Sequence, residues 1–552
     1  MTDLHEPRPD AAALVRRYLD AAQASDRLAA FDGLREQLAA SPASDWLAVA
    51  QPLLDGADES AGAGLLQIAI ERFPDTVELR LAFARALWQI GRHDDAERLL
   101  SALARHRVAG HDAALLHAEL LRGEGRIEAA AAVVETLHAR SEDAAVKARC
   151  VEFLEQCQRQ QRAFVLCERQ LASGDRSAPL LAIAGDLALQ LGRFDLARER
   201  FLAALALGVD INRWFVPAGL ADAQRYSTST HPDFKLFADN LRLPLLSARA
   251  RASILYGLGK AYDDVADVAA AAASWRAANR LMAVEVPWSK DAWRSQVERA
   301  LATPQRRHRL STSPGFVPVF VVGLPRTGTT LVAELLARHE QVRGRGEMPA
   351  LGFVAEGLDG AAHDEPLALA EGAALYARMI RQDDAPALAY VDKNPLNLRY
   401  LDLIDAMFPN ALIVHCRRDL RDTALSLWSR SFANEEYAFS SDFEHIALFA
   451  EDCARLTTHA RSHLRRPVLD VDYADLVRDP GAAMAPLFDA LNLPMPDLAA
   501  PRSDDSAAIA SASRWQARQP VHQRSLQRWR AYAPHVPELV QAFAGLDEHA
   551  TT

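Results

Sequence analysis

The sequence predicts two fold classes in one chain: an all-α array of helical repeats, then an α/β domain built on a parallel sheet. Three observations predict this. A Gly-Arg turn followed by an Ala four residues after the Arg returns at regular spacing through the first three hundred residues. An apolar run, 316–322, breaks into the loop Gly323-x4-Gly328 and re-forms as an amphipathic pattern to His339. Beyond it, short apolar runs alternate with helical periodicity, the pattern of successive βα units.

From about Pro9 to Met282, Ala, Leu, Arg, Glu and Gln dominate, with apolar residues at i, i+3 and i+4. Gly91-Arg-His-Asp-Asp-Ala96 returns 34 residues on (125 − 91) as Gly125-Arg-Ile-Glu-Ala-Ala130, and again as Gly192-Arg-Phe-Asp-Leu-Ala197. A weaker copy is read at Gln161-Arg162, and a terminal unit from Leu255 to Met282. Glycine ends the first helix of each pair, and the small Ala lets the second cross it closely. This is the tetratricopeptide period, so residues 1–302 are expected to form a tetratricopeptide-like solenoid. Pro217, Pro232, Pro244 and Tyr226-Ser-Thr-Ser-Thr230 interrupt it between 209 and 244, an expected irregular connection. Residues 303–315, with Pro304, three arginines and His308, read as a linker to a second domain, 316–552.

In that second domain the strand at 316 is followed by a Gly344/Gly346 turn that carries Glu347. Next come the short strand 387–391 ending in Asp392-Lys393, the strand 411–416 ending in Arg417-Arg418, and the strand 467–471 leading to Asp472-Tyr473. In parallel sheets ligands sit at the carboxyl ends of the strands. Arg326, Asp392, Lys393, Arg418 and Tyr473 all fall there, which predicts one site.

Composition sets further bounds. The chain has 552 residues and a net charge of −11, which argues against nucleic acid as the main partner. No apolar run approaches the ~18 residues of a membrane span. The first residues lack a charged-then-apolar leader, so the expected location is cytoplasmic. Five cysteines without a C-x-x-C pair read as reduced core thiols. No His/Cys cluster is read as having zinc spacing, and no metal is expected.

The loop Gly323-x4-Gly328-Thr329-Thr330 has the spacing of a P-loop, with Thr329 where the lysine would stand. Turned-in N–H groups and the helix N-terminus remain to hold a phosphate. In a kinase or NTPase, Thr330 and Asp392 would share Mg²⁺, but the charge that meets a γ-phosphate is missing and Lys393 stands beside the acid. His339 is a rival base expected to cap its helix, and His415 is expected to face the sheet core.

Pro325-Arg326-Thr327-Gly328-Thr329-Thr330 resembles the 5′-phosphosulfate loop of sulfotransferases that use 3′-phosphoadenylyl sulfate (PAPS). Arg418, Ser426 eight residues on, and Arg430 four beyond resemble their 3′-phosphate motif. The order and spacing resemble the protein-tyrosine sulfotransferases and bacterial relatives fused to tetratricopeptide repeats. The resemblance runs from about Val317 to Val540 and implies a sulfotransferase fold. It implies PAPS as co-substrate, no metal, and transfer of the sulfuryl group to an acceptor hydroxyl. The amides of Gly328–Thr330 would hold the 5′-phosphate, and Arg418, Ser426 and Arg430 the 3′-phosphate, with the last two on one helical face. Arg326 and Lys393 would meet charge growing on the bridging and sulfuryl oxygens. Glu347, 21 residues after Arg326 (347 − 326), would be the general base. Tyr473 would lie near the adenine. Arg518 would serve in the late loop 511–520, where Gln519 stands in place of the family lysine. The implied acceptor is a protein tyrosine recruited through the array, with a small molecule or glycan as the alternative. A homo-oligomer is compatible with such an array. The rival of another class is a repeat scaffold carrying an inactive transferase domain.

Overall fold

The computed structural model describes residues 10–24, 26–105, 110–302, 308–359, 366–432, 435–499 and 523–545. The chain divides into two compact units, 1–153 and 154–552. The division falls inside the helical region rather than at 303–315, because the later helices share a core with the sheet.

Among the described residues no strand precedes Val317, and the chain there is helices joined by turns and short irregular connections. In the first unit, Val77–Gln89 turns into His93–Leu103 through Gly91 at φ +78°, and the Arg92 N–H reaches back to the Leu87 carbonyl at 2.8 Å. That left-handed closure satisfies the last carbonyls of the first helix. It recurs at Gly125, where Arg126 N–H bonds Leu121 O at 2.9 Å, and in the second unit at Gly192, where Arg193 N–H bonds Ala188 O at 2.8 Å.

One expectation shifts here. The weaker copy is at Gln158-Arg159, not Gln161-Arg162: Arg159 N–H closes on Leu154 O at 2.8 Å with Gln158 at φ +57°. Glutamine occupies a backbone position that favours glycine, which hid the copy from a search for Gly-Arg. The interruption at 209–244 is also more regular than expected. It holds three short helices, Ile211–Trp214, Val216–Asp222 and Pro232–Asn240, around buried Tyr226. The Tyr226 hydroxyl donates to Asp233 at 2.8 Å, and Arg198 clasps the same carboxylate.

The sheet has five strands in the order β2-β3-β1-β4-β5, all parallel: β1 (Val317–Gly323), β2 (Val342–Gly344), β3 (Ala389–Asp392), β4 (Leu412–Arg417) and β5 (Leu469–Asp472). β1 is central and buried on both faces, hence its unbroken apolar run. Val319 and Val321 face a core shared with Val332, Leu336, Met484 and Phe488. Phe320 and Val322 face the other core, which takes in Tyr376, Leu425, Trp428 and Phe449.

That second core also contains Tyr256, Trp275, Trp293 and Val297, all from the helical array. Trp275 meets Trp428 edge-on at 6.4 Å, Trp293 stacks on Phe449 at 4.6 Å, and Asn279 donates to the Trp428 carbonyl at 2.8 Å. The helices Ala248–Asp264, Val268–Glu285 and Lys290–Ala302 are thus one layer of the sheet domain.

Candidate active site

All five strands deliver a residue of interest at the same edge. β1 ends in the loop 324–328, β2 leads to Glu347, β3 to Lys393, β4 to Arg418 and β5 to Tyr473.

The β1 loop is tightly shaped. Gly323 sits at φ +140°, and a Cβ there would lie 2.5 Å from the Cys416 carbonyl. Gly328 caps the helix Thr329–Leu336 at φ +101°, and a Cβ there would lie 2.7 Å from the Tyr473 ring. Only glycine fits either place. Pro325, Thr327 and Thr329 are buried, Thr330 half-buried, and the Thr327 hydroxyl donates to Leu324 O at 2.7 Å. Arg326 takes a left-handed backbone, φ +75°, which a side chain rarely adopts and which turns its guanidinium into the cleft.

Four arginines converge there. Arg326 Nε donates to Ser426 Oγ at 3.0 Å. Arg418 donates to the carbonyls of Arg326 at 3.0 Å and Ser525 at 2.7 Å, and lies 4.7 Å over the Tyr473 ring. Its Nε is buried without a partner among the described residues. Desolvation, then the charges of Arg430 and Arg418, lower the Arg326 pKa to about 9, with Arg528 adding to the effect. Arg418 is lowered for the same first reason, burial. Arginines crowded so that they lower each other's basicity form a site shaped for a polyanion.

Arg430 departs from expectation. The helix Leu420–Trp428 ends before it, with Ser429 as its C-cap, so Ser426 and Arg430 do not share a helical face. Arg430 instead pairs with Asp222 of the array at 3.5 Å while remaining close enough to act on Arg326. Arg528 was missed by sequence reasoning. Asp422 accepts the N–H groups of Gln527 at 2.6 Å and Trp529 at 3.0 Å, which pins 525–529 over the site. Arg528 is held by Asp263 at 2.8 Å and lies against the Trp275 and Tyr532 rings. No local pattern marks it, since its partners come from the array. Arg518 and Gln519 lie outside the described residues.

Across the cleft, Lys393 Nζ is ion-paired with Glu347 Oε1; the lysine is buried and the glutamate exposed. The Glu347 turn is stitched to β3: Arg345 N–H donates to Val391 O at 2.8 Å and Lys393 N–H to Gly346 O at 2.9 Å. Buried Arg345 clasps Asp384 and the Ile380 and Arg381 carbonyls, anchoring the same turn from below. Gln158 of the array reaches this turn too. Its amide donates to the Glu347 carbonyl at 3.4 Å, and its Oε1 would lie 2.6 Å from a Cβ on Gly346. Tyr437, also missed, feels the charges of Glu347 and Arg326 after burial, its largest cause, has raised its pKa.

Asp392, the formal metal ligand of an NTPase reading, turns away from the loop. Fully buried, it accepts from Tyr376 Oη at 2.9 Å, Asn397 Nδ2 at 3.1 Å and the Met348 N–H, and burial raises its pKa to about 7. It supports the Glu347 turn. His339 is buried beside Phe488 and accepts the Gln341 N–H at 3.1 Å, beyond the end of its helix. His415 is not in the sheet core as expected; it pairs with Asp470 at 3.0 Å, opposite it in register. A cluster that the sequence reading did not register is Asp402, His459 and His463, whose ligand atoms lie within 4.8 Å of one another. It precedes β4 and β5 and so lies toward their amino ends, away from the arginines.

The donor set is one of guanidiniums, backbone N–H groups and one lysine opposite a carboxylate. Residues 318–497 match the family described as Sulfotransferase family. This stretch is a sulfotransferase-family domain. Over 334 residues the chain is 26% identical to an uncharacterized protein of Aquifex aeolicus (strain VF5), a match spanning 57% of this chain and 44% of that relative. Two solved structures are also similar. Sulfotransferase STF9 from Mycobacterium avium is 16% identical with a TM-score of 0.27, over 58% of this chain and 97% of that one. Sulfotransferase STF1 from Mycobacterium tuberculosis H37Rv is 18% identical with a TM-score of 0.23, over 58% and 100%. Among the described residues no helix is long and apolar enough to cross a membrane.

Proposed function

We propose that the chain is a PAPS-dependent sulfotransferase acting on an acceptor hydroxyl. One observation carries the reading: Arg326, Arg418 and Arg528 converge at the ends of β1 and β4, opposite the Lys393–Glu347 pair. A buried Arg418 Nε without a partner among the described residues, and a glycine loop that a single Cβ would close, suit a donor with separate 5′ and 3′ anions. PAPS supplies an activated sulfuryl group that needs no Mg²⁺ for transfer.

In this reading Pro325 to Thr330 wrap the 5′-phosphate, with backbone N–H groups at the helix N-terminus as donors. Arg418 and Ser426 hold the 3′-phosphate, joined by Arg528, and Arg430 adds positive potential from the side. Tyr473, stacked under Arg418, offers a ring face to the adenine. Arg518 remains a proposed late-loop contact. Glu347 accepts the proton of the acceptor hydroxyl as the acceptor oxygen bonds to sulfur. The bridging S–O bond breaks, and that oxygen leaves on the 5′-phosphate. Arg326 and Lys393 meet the negative charge developing there. The phenol of a protein tyrosine, the acceptor implied by the resemblance, and the hydroxyl of a small molecule both satisfy this chemistry.

Label transfer tests this. Purified protein given ³⁵S-PAPS without Mg²⁺ and a host lysate, split into protein and small-molecule fractions, is expected to label one fraction. Bound nucleotide with no label in either fraction would favour the inactive-scaffold reading.

A further inference from the structure

A cavity of about 500 Å³ lies between the later array helices and the segment that follows Arg430. This is the size range of small-molecule sites, roughly 300–1,000 Å³. Ile183 and Leu189 line it from the helix Ala178–Gln190, Phe201 and Trp214 from the next helices, and Phe432 and Tyr437 from the transferase side. Phe432 and Tyr437 are stacked at 4.8 Å. Two lining residues, Arg430 and Tyr437, lie beside the arginine site: Arg430 follows by four residues Ser426, which accepts from Arg326 at 3.0 Å, and Tyr437 is on the segment just after it.

The charged groups of the wall are already matched. Asp222 pairs with Arg430 at 3.5 Å and Glu435 with Arg249 at 3.8 Å. Asp186 and Glu155 both accept from Gln190, at 2.7 and 3.1 Å. Arg213 lies 5.1 Å over the Trp214 ring. What the wall offers a ligand is mainly apolar and aromatic surface, with the Ser253, Ser431, Ser440 and Ser441 hydroxyls between the matched charges.

We infer that the array is the acceptor-side wall of the site, and that the chamber takes an uncharged hydroxyl compound with a compact, ring-bearing apolar body. The inference rests on the sulfuryl-transfer reading and names its substrate class. A chamber of this size takes a small molecule, whereas a protein surface needs a contact of about 1,600 Å². The array therefore contributes residues to the reaction centre instead of recruiting from a distance. With 2-naphthol as probe, the naphthol oxygen bonds to sulfur, its proton passes to Glu347, and the bridging oxygen departs on the nucleotide.

The test uses the full chain, ³⁵S-PAPS and two acceptors, 2-naphthol and a tyrosine-containing peptide, with calorimetric binding of the product nucleotide PAP (3′,5′-bisphosphoadenosine) run alongside. The wild type is expected to label 2-naphthol. Ile183→Trp, which fills the chamber from the array, lowers kcat/KM for 2-naphthol at least tenfold and leaves PAP affinity unchanged. Trp214→Ala, at a half-buried position, raises the 2-naphthol KM about fivefold. The inference is overturned if both variants transfer to 2-naphthol as the wild type does. It is also overturned if only the peptide is labelled, or if a protein that binds PAP labels no 2-naphthol. Failure of the wild type to bind PAP would instead sink the sulfuryl-transfer reading itself.

Discussion

The two halves of the helical array are built from the same local pattern and do different things. Helices up to residue 153 bury Trp46, Leu65, Leu66 and Leu79 against one another. Helices after it bury Tyr256, Trp275 and Trp293 against the sheet domain, and send Gln158 to the Glu347 turn and Asp263 to Arg528. A Gly-Arg turn with an Ala behind it specifies a helix pair in both halves. It does not specify what the outer face of that pair will cover. The aromatic content does: tryptophans on the later helices meet Trp428, Phe449 and Tyr532 of the sheet domain.

The comparison breaks if damage to the first half reaches the nucleotide. Trp46→Ala removes a fully buried side chain and is expected to cost about 3–5 kcal/mol of stability. Calorimetry on the folded variant should give an unchanged affinity for PAP.

At the site itself, Glu347→Gln keeps the shape of the turn and removes the carboxylate proposed as the base. Transfer is expected to fall roughly 100-fold or more. PAP affinity should stay at the wild-type value, and a variant with normal turnover would assign the base role to another group.

Asp392, at the end of β3, gives a pH-dependent prediction. Its neighbours are Tyr376 from the helix Pro366–Arg381, Asn397, the Met348 N–H and Lys393 beside it. Burial raises its pKa to about 7, so the folded state keeps a proton that the unfolded state releases near pH 4. Its contribution therefore weakens as pH rises from about 4 to 7 and is level above that. In urea melts, Asp392→Asn should gain stability relative to wild type across that window. A flat difference would show that the carboxyl is ionised in the folded protein.

The smallest effect is the most specific to the later half. Gln158→Gly relieves a left-handed side-chain position worth roughly 1–2 kcal/mol and removes the amide that touches Glu347. The variant should be more stable and turn over several-fold more slowly, with PAP affinity unchanged. Faster or equal turnover would make the contact incidental.

Much of this was readable in the chain. The strand–loop–helix at 316–336 and the polar residue after each strand follow from short-range pattern, because a parallel strand buried on both faces must be apolar and must end in its site. The arginine cluster was only half readable. Arg326, Arg418 and Ser426 sit on motifs, whereas Arg528 reaches the site through Asp422 and Asp263, 106 and 265 positions earlier (528 − 422 and 528 − 263). Arg430 was misjudged because the helix stops at Trp428, and a helical spacing has no meaning past its C-cap. Gln158 was hidden by the very substitution that gives it a side chain to make contact. Asp392 could be placed at the end of a strand but not oriented, since neighbouring residues on a strand point to opposite faces.

The central claim is that the arginines at the ends of β1 and β4 form a site for a nucleotide with 5′ and 3′ anions. Isothermal calorimetry of PAP against the wild type and Arg418→Ala tests it most directly. The account predicts one PAP per chain, and a loss of roughly 2–4 kcal/mol in the variant, since a buried charge pair is removed. Equal affinity in the two proteins, or no PAP bound by the wild type, would contradict it.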